Sequence, residues 1–297
     1  MTNVSRIKPK KKKIVRLRRS ERLRVQIPII IILTVAIIFT LIPFLLTFTN
    51  SLKRHFDVAT NIFSLPKLDA SMWSNYPVAF GYLGQNIWNS VFIAFVQSAV
   101  LVIISAIMAY IFAEVKFFGS DLLFYIYVAV MLLPNELNTP ENYAFVYKAG
   151  LMNSYWAVWL PGWSSAQASG IFLLRIFFMG QPKSLKEAAR IDGASNFDLF
   201  MHIVLPMTIP IVIYRFLTGF TGSYNSYLWN TLVLQDQSKM SVITLLMIKS
   251  GAVKDNQQQG FGVLYAMYII SGLPLMVVSA ISLKFFKGTE FASALKM

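Results

Sequence analysis

Cysteine is absent from this 297-residue chain, so no disulfide, thiolate nucleophile or cysteine-ligated metal can form, and the redox compartment stays open. Histidine occurs twice, at His55 and His202, too far apart in sequence and context to suggest a metal pair. Acidic residues are scarce, 13 against 27 Lys and Arg. No acids and histidines converge as an enzyme site would require, so no catalytic residue, metal or cofactor is expected. A G-x-x-x-x-G-K-[ST] loop is missing too, and the chain therefore does not cradle ATP phosphates in the usual way. A membrane-bound enzyme or receptor would need one of these constellations.

Charge of either sign is rare, 13% of residues, whereas 56% are hydrophobic and the mean hydropathy is +0.57. That balance points to an all-α polytopic membrane protein whose first partner is the lipid bilayer. A span needs about 20 apolar residues at ~1.5 Å rise each. Six runs qualify: Ile27–Phe48, Ile87–Ala113, Leu122–Pro134, Tyr155–Phe178, Leu205–Leu234 and Gly262–Phe286, the third being the shortest. The first run exceeds a signal-peptide core and lacks a small-residue cleavage pattern, so it is expected to stay in the mature protein.

Charge placement orients these runs. Eleven Lys or Arg precede Val25, and Lys116, Arg175, Lys183, Lys186, Arg190, Lys284, Lys287 and Lys296 fall on the same side of the six-span arrangement, against seven on the other. The positive-inside rule then puts both termini in the cytoplasm. The expected organisation is a basic cytoplasmic tail over 1–26, a transmembrane domain over 27–286 and a cytoplasmic tail over 287–297. The tract Lys8–Arg24 also has the composition of a nucleic-acid arm, but a basic run directly before a span reads as an orientation signal on anionic lipid, and no nucleic-acid partner is expected.

Between two apolar runs lies a polar island, KEAARIDGASNFDLFMHIVLPM, Lys186–Met207. Pro182 suits a helix start, and Ser184-Leu185-Lys186-Glu187 has capping-box spacing. Gly193 can take the left-handed turn that closes this helix, and Ser195 can cap the next with Asp198 at its third position. A helix-turn-helix at the membrane surface is predicted. Small Ala188 and Ala189 admit a close neighbour, and Glu187 and Arg190 offer charge; an ordinary cytoplasmic loop would satisfy the same pattern.

The spacing within this island resembles the E-A-A, three residues, G, nine residues, I-x-L-P motif of membrane subunits in bacterial ATP-binding-cassette importers. Glu187-Ala188-Ala189, Gly193 and Ile203-Val204-Leu205-Pro206 fill every fixed position, with Asp192 in the intervening stretch common in carbohydrate importers. Met131–Pro161 and Gly219–Leu234 likewise resemble segments of second-permease subunits from sugar and glycerol-phosphate importers. The resemblance runs from the first span to the final residues. It implies a type I importer permease fold with six transmembrane helices and a cytoplasmic coupling helix within loop 179–206. It also implies a homologous partner permease, two ATP-binding-cassette ATPase subunits, an extracellular or periplasmic solute-binding protein, and residence in the bacterial cytoplasmic membrane. On it, Glu187 faces a basic residue of the ATPase, Ala188 and Ala189 allow close packing and Gly193 makes the turn; capping alone is the plainer role for Glu187. Two departures stand out: Glu114 replaces an Arg usual after the second span, and Ala292 replaces the second glycine of the K-G-x-x-x-G ending.

Polar groups inside spans mark the expected substrate path. Arg215 lies nine residues past Pro206, near mid-membrane, where the family usually has an apolar residue. It is read as facing a cavity or the partner, holding an anionic group, with snorkelling as the alternative. Tyr224, Asn225 and Trp229 combine rings that stack on sugars with an amide that bonds hydroxyls, although Trp229 also fits an interfacial anchor. Gly219 and Gly222 are expected to break the helix beside them. Asn135 and Glu136 close the set, Glu136 having a solvated loop role as its alternative. Import of a carbohydrate, an oligosaccharide in particular, is the function implied; an anionic solute such as glycerol 3-phosphate is the alternative.

Overall fold

The computed structural model describes the backbone of residues 19–67, 69, 73–115, 117–165, 167–253 and 260–288. Every regular element among them is helical. In chain order these are α1 (Arg19–Ser51), α2 (His55–Thr60), α3 (Asn75–Glu114), α4 (Ser120–Met131), a 3₁₀ turn (Asn135–Asn138), α5 (Thr139–Lys148), α6 (Trp156–Ser165), α7 (Gln167–Met179), α8 (Lys183–Ile191), α9 (Asn196–Leu199), a π-helical turn (Phe200–Val204), α10 (Leu205–Met207), α11 (Ile209–Tyr224), α12 (Leu228–Val233), α13 (Val242–Val253) and α14 (Phe261–Gly288).

Three helices carry stretches long and apolar enough to cross a bilayer, Gln26–Ser51, Asn75–Glu114 and Phe261–Leu283. They match the first, second and sixth expected runs. None of the apolar window of α1 is buried within the chain. Two of its threonines turn their hydroxyls back onto the helix, Thr40 to Ala36 O at 2.8 Å and Thr47 to Pro43 O at 2.7 Å, which satisfies both groups on this bare apolar surface.

The central element is α3. Its 40 residues, about 60 Å of helix at the usual rise, begin twelve residues before the apolar run that announced it. The added turns include Ala79 and Leu83, which are fully buried in a cluster with Tyr224, Leu245 and Met267. A second cluster joins Ala109 of α3 to Phe124, Leu174, Phe178, Leu199 and Val204. A third joins Ile93 to Val146, Trp159 and Val233. All three cores therefore hang on one rod.

The remaining runs are interrupted. The third is the twelve-residue α4, and the fourth is divided between α6 and α7. The fifth, Leu205–Leu234, bends by 78° between Asn196–Met207 and Ile209–Tyr224. It breaks again after Tyr224, not at Gly219 and Gly222 as expected. Gly219 stays helical and faces α3, where a Cβ would make an ordinary van der Waals contact with Ser98 Oγ at 3.4 Å.

At the end of the molecule away from α8, side chains of α3 fasten a long connection. Asn86 donates to Gln237 O (2.7 Å) and Met240 O (2.9 Å), Asn89 donates to Ser238 O (2.7 Å), and the Val242 amide donates to Ser90 Oγ (2.7 Å). Asn153, held at φ 56°, accepts from the amides of Gln235 and Asp236. Buried carbonyls of a non-helical segment must find donors, and asparagines in an otherwise apolar helix supply them.

Candidate functional site

The polar island folds as a helix, a left-handed glycine and a second helix. α8 starts at Lys183 with Pro182 in the capping position (φ −57°, ψ 120°), and no side chain caps it. The expected Ser184–Glu187 capping box does not form. Proline has its φ fixed and lacks an N–H, so with Pro182 at the cap the helix starts two residues earlier, at Lys183, and Ser184 falls inside the first turn. Glu187 is left exposed. The helix closes in a Schellman motif, with Gly193 at φ 85°, the Gly193 amide donating to Arg190 O (3.2 Å) and the Ala194 amide to Ala189 O (2.9 Å). The second capping box does form: Asp198 N donates to Ser195 Oγ at 3.2 Å, and Ser195 N to Asp198 Oδ2 at 3.2 Å.

One face of this segment is fastened to the bundle and the other is bare. Ala189 and Ile203 pack against the second core, Leu205 is half-buried, and Gln181 Nε2 donates to Val204 O at 2.9 Å, tying the start of the segment to its end. Lys186 is 6% exposed and donates to Glu114 and to Phe178 O (2.6 Å). On the open side stand Glu187, Ala188, Asp192, Gly193 and Pro206, flanked by Ile191 at 86% and Phe197 at 68% exposure. Carboxylates ringed by open apolar side chains, on a segment braced from behind, form a surface fit to receive a partner.

A second candidate region is a cavity of about 430 Å³ between α3, α5, α6 and α11. Arg215, 9% exposed, lies in its wall with Gln97, Asn142, Thr218, Ser223 and Trp229. Glycines make the room. A Cβ on Gly170 would fall 2.6 Å from both Arg215 Nε and Ser105 Oγ, and one on Gly162 only 2.1 Å from Gln97 Nε2. Gln97 Oε1 is buried without a hydrogen-bond partner among the described residues. An acceptor and a guanidinium thus meet one space.

The expected path residues divide. Arg215 and Trp229 line the cavity, although Trp229 commits its Nε1 to Ala157 O at 3.0 Å. Tyr224 does not reach it. This side chain is fully buried, donates to Ser271 O at 2.7 Å and stacks on Phe220. Positions 215, 218, 219, 222 and 223 share the cavity face of α11, with Ser226 just beyond its end, whereas 216, 220 and 224 turn toward α14. Asn225 caps α11 and is exposed, and its neighbours Ser223 and Ser226 line the cavity instead. Asn135 and Glu136 belong to the 3₁₀ turn, and their side chains lie outside the described residues, as do Lys116 and Ala292. Gln97, Gly162 and Gly170 were not anticipated. The signal was present: Gln97, Ser98 and Ser105 are polar residues within an apolar run, where each polar group carries a cost.

A surface segment braced on a bundle of apolar helices, with a polar-lined cavity elsewhere in that bundle, fits a membrane permease. The family model described as binding-protein-dependent transport system inner membrane component matches residues 102–288, and the chain belongs to that family, the permeases of ATP-binding-cassette transporters. Among similar proteins, the probable ABC transporter permease YurM of Bacillus subtilis is 25% identical over 247 residues, 82% of this chain and 80% of that protein. The sn-glycerol-3-phosphate transport system permease UgpE of Pectobacterium atrosepticum is 34% identical over 160 residues, 53% of this chain and 55% of its own. The polygalacturonan/rhamnogalacturonan transport system permease YtcP of Bacillus subtilis is 31% identical over 144 residues, 45% of this chain and 50% of its own. A chain in the crystal structure of a bacterial ABC transporter that imports the acidic polysaccharide alginate shares the fold, with a TM-score of 0.75 and 21% identity over 91% of this chain and 99% of that one.

Proposed function

We propose that this chain is a permease subunit of an ATP-driven carbohydrate importer, forming with a homologous partner the path for an oligosaccharide. ATP hydrolysis resides in two separate ATP-binding-cassette subunits, and a solute-binding protein outside the membrane delivers the cargo. Six spans cross the bacterial cytoplasmic membrane, α4, the α6–α7 pair and the α10–α12 segment joining the three long helices, with both termini cytoplasmic. The observation that carries this reading is the outward face of α8: Glu187, Ala188 and Gly193 fill the fixed motif positions and stand open on a segment braced from behind. α8 is then the coupling helix, seated in a groove of an ATPase. Complexes purified through this chain from its native host are expected to contain an ATPase, and Glu187→Lys or Gly193→Val is expected to remove it. Wild-type complexes without any ATPase would sink the proposal.

A second reading of the cargo is favoured by Arg215. A guanidinium in the cavity wall suits a carboxylate or phosphate, for which it supplies paired donors. UgpE by its name handles a phosphate ester and YtcP a uronate polymer, both anions. With uptake measured in proteoliposomes, Arg215→Gln is expected to lower transport of an acidic oligosaccharide far more than that of a neutral one. Equal loss for both, or none, returns the cargo to neutral sugars.

A further inference from the structure

The rear of α8 meets the end of α3 through ions. Glu114 is the last residue of α3, and its side chain is 13% exposed. Lys186 points inward from α8 and donates to Glu114 Oε1 and to Phe178 O near the end of α7. Arg190, one turn further along the same face, brings its NH2 to 3.8 Å from Glu114 Oε2. From α7, Arg175 donates Nε to Phe112 O at 3.1 Å and lies 3.9 Å over the Phe124 ring. One carboxylate thus gathers two cations of a single helix face, and a third cation holds the carbonyls beside it.

Elementary electrostatics makes this placement costly unless all parts are present. The C-terminal carbonyls of α3 carry partial negative charge, so a carboxylate there is unfavourable by itself. A lysine buried to the depth of Lys186 is equally unfavourable alone, whereas a leucine or methionine would cover the same surface. Together the charges fix the position of α8 along the tip of α3 in a way that apolar contact does not, because a slide of one turn would strand two desolvated groups, Glu114 and Lys186. α3 is also the rod that carries all three cores and the cavity residue Gln97.

We propose that Glu114 is the positioning residue through which displacement of α8 is handed to α3, the Glu114–Lys186–Arg190 cluster staying closed while the assembly changes state. This rests on the reading of α8 as the ATPase-docking helix. In this cluster the cations come from α8 and the anion from α3.

The test uses the complete complex purified through this chain, with ATP and vanadate as the probe. Because the chain has no native cysteine, nitroxides can be placed at Ser184→Cys on α8 and Ile107→Cys on the exposed side of α3. In the otherwise unaltered chain the label separation is expected to hold on trapping. In E114Q, and equally in K186M, it is expected to change by about 2–5 Å, the scale of helix shifts and one-turn slips. The E114Q/K186M double variant should change no further than either single. The charge swap E114K/K186E, in which half-exposed Arg190 can swing aside, should restore the fixed separation even if E114K alone is too unstable to purify. An E114Q complex that retains its ATPase and the fixed separation overturns the clamp alone, as does a charge swap that assembles and still drifts. Absence of ATPase from the unaltered complex removes the docking reading and this inference with it.

Discussion

The segment around α8 and the cavity around Arg215 both set charge against α3, yet they are built in opposite ways. At α8 the protein adds side chains: Lys186, Arg190, Gln181 and Glu114 tie the rear of the segment to the bundle, and the front is left open. At the cavity it withholds them, since Gly162 and Gly170 are empty where any Cβ would strike Gln97 or Arg215. The difference teaches what each place is for. On the reading proposed above, a surface that receives force is cross-tied at its rear, and a space that admits solute keeps its wall trimmed.

Four substitutions sharpen or break this contrast. The largest effect is expected from Glu187→Lys on the open face of α8. If a cation of an ATPase faces it, like-charge contact costs about 3 kcal/mol, or roughly 100-fold in association, while thermal stability of the isolated permease stays put. Co-purification of ATPase against a melting curve checks both halves. Next comes Gly162→Ala, whose methyl would lie 2.1 Å from Gln97 Nε2. Displacing that amide is expected to lower uptake roughly tenfold with ATPase retention unchanged, by the sensitivity of bound geometry to ~1 Å shifts. Loss of ATPase instead would show the two regions are not separable.

Tyr224→Phe should do the reverse of the glycine change. Losing the donor to Ser271 O removes about 1 kcal/mol of stability, seen as a lower melting temperature, and leaves uptake intact. A selective uptake defect would return Tyr224 to the path. The smallest effect is expected from Ser195→Ala, which deletes an exposed cap worth about 1 kcal/mol or less and should appear only as faster amide exchange in α9.

Much of this was legible in the sequence. Apolar runs announced α1, α3 and α14, and the Gly193 turn and the Ser195–Asp198 box followed from residue types at fixed spacing. What escaped was tertiary. The early start of α3 depends on Ala79 and Leu83 finding a core supplied by α13 and α14, nearly two hundred residues away. Pro182 outcompeted Ser184 for the helix start because a fixed φ and a missing N–H act before any side-chain bond can. Tyr224 and Ser223 are neighbours in sequence and about 100° apart on a helix, so a polar cluster read linearly does not tell which member lines the cavity. Glu114 could be seen as unusual but not explained, since its partners lie 72 residues on.

The length of α3 carries one more consequence. An unbroken rod of about 60 Å is roughly twice the hydrocarbon thickness of a bilayer, long enough for both its tips to stand clear of the lipid interior. Packed into three cores along its length, such a rod moves as one piece, and whatever displaces one tip is carried to the other. Surfaces fixed to its opposite tips would then answer to each other by geometry alone, with no second linkage between them.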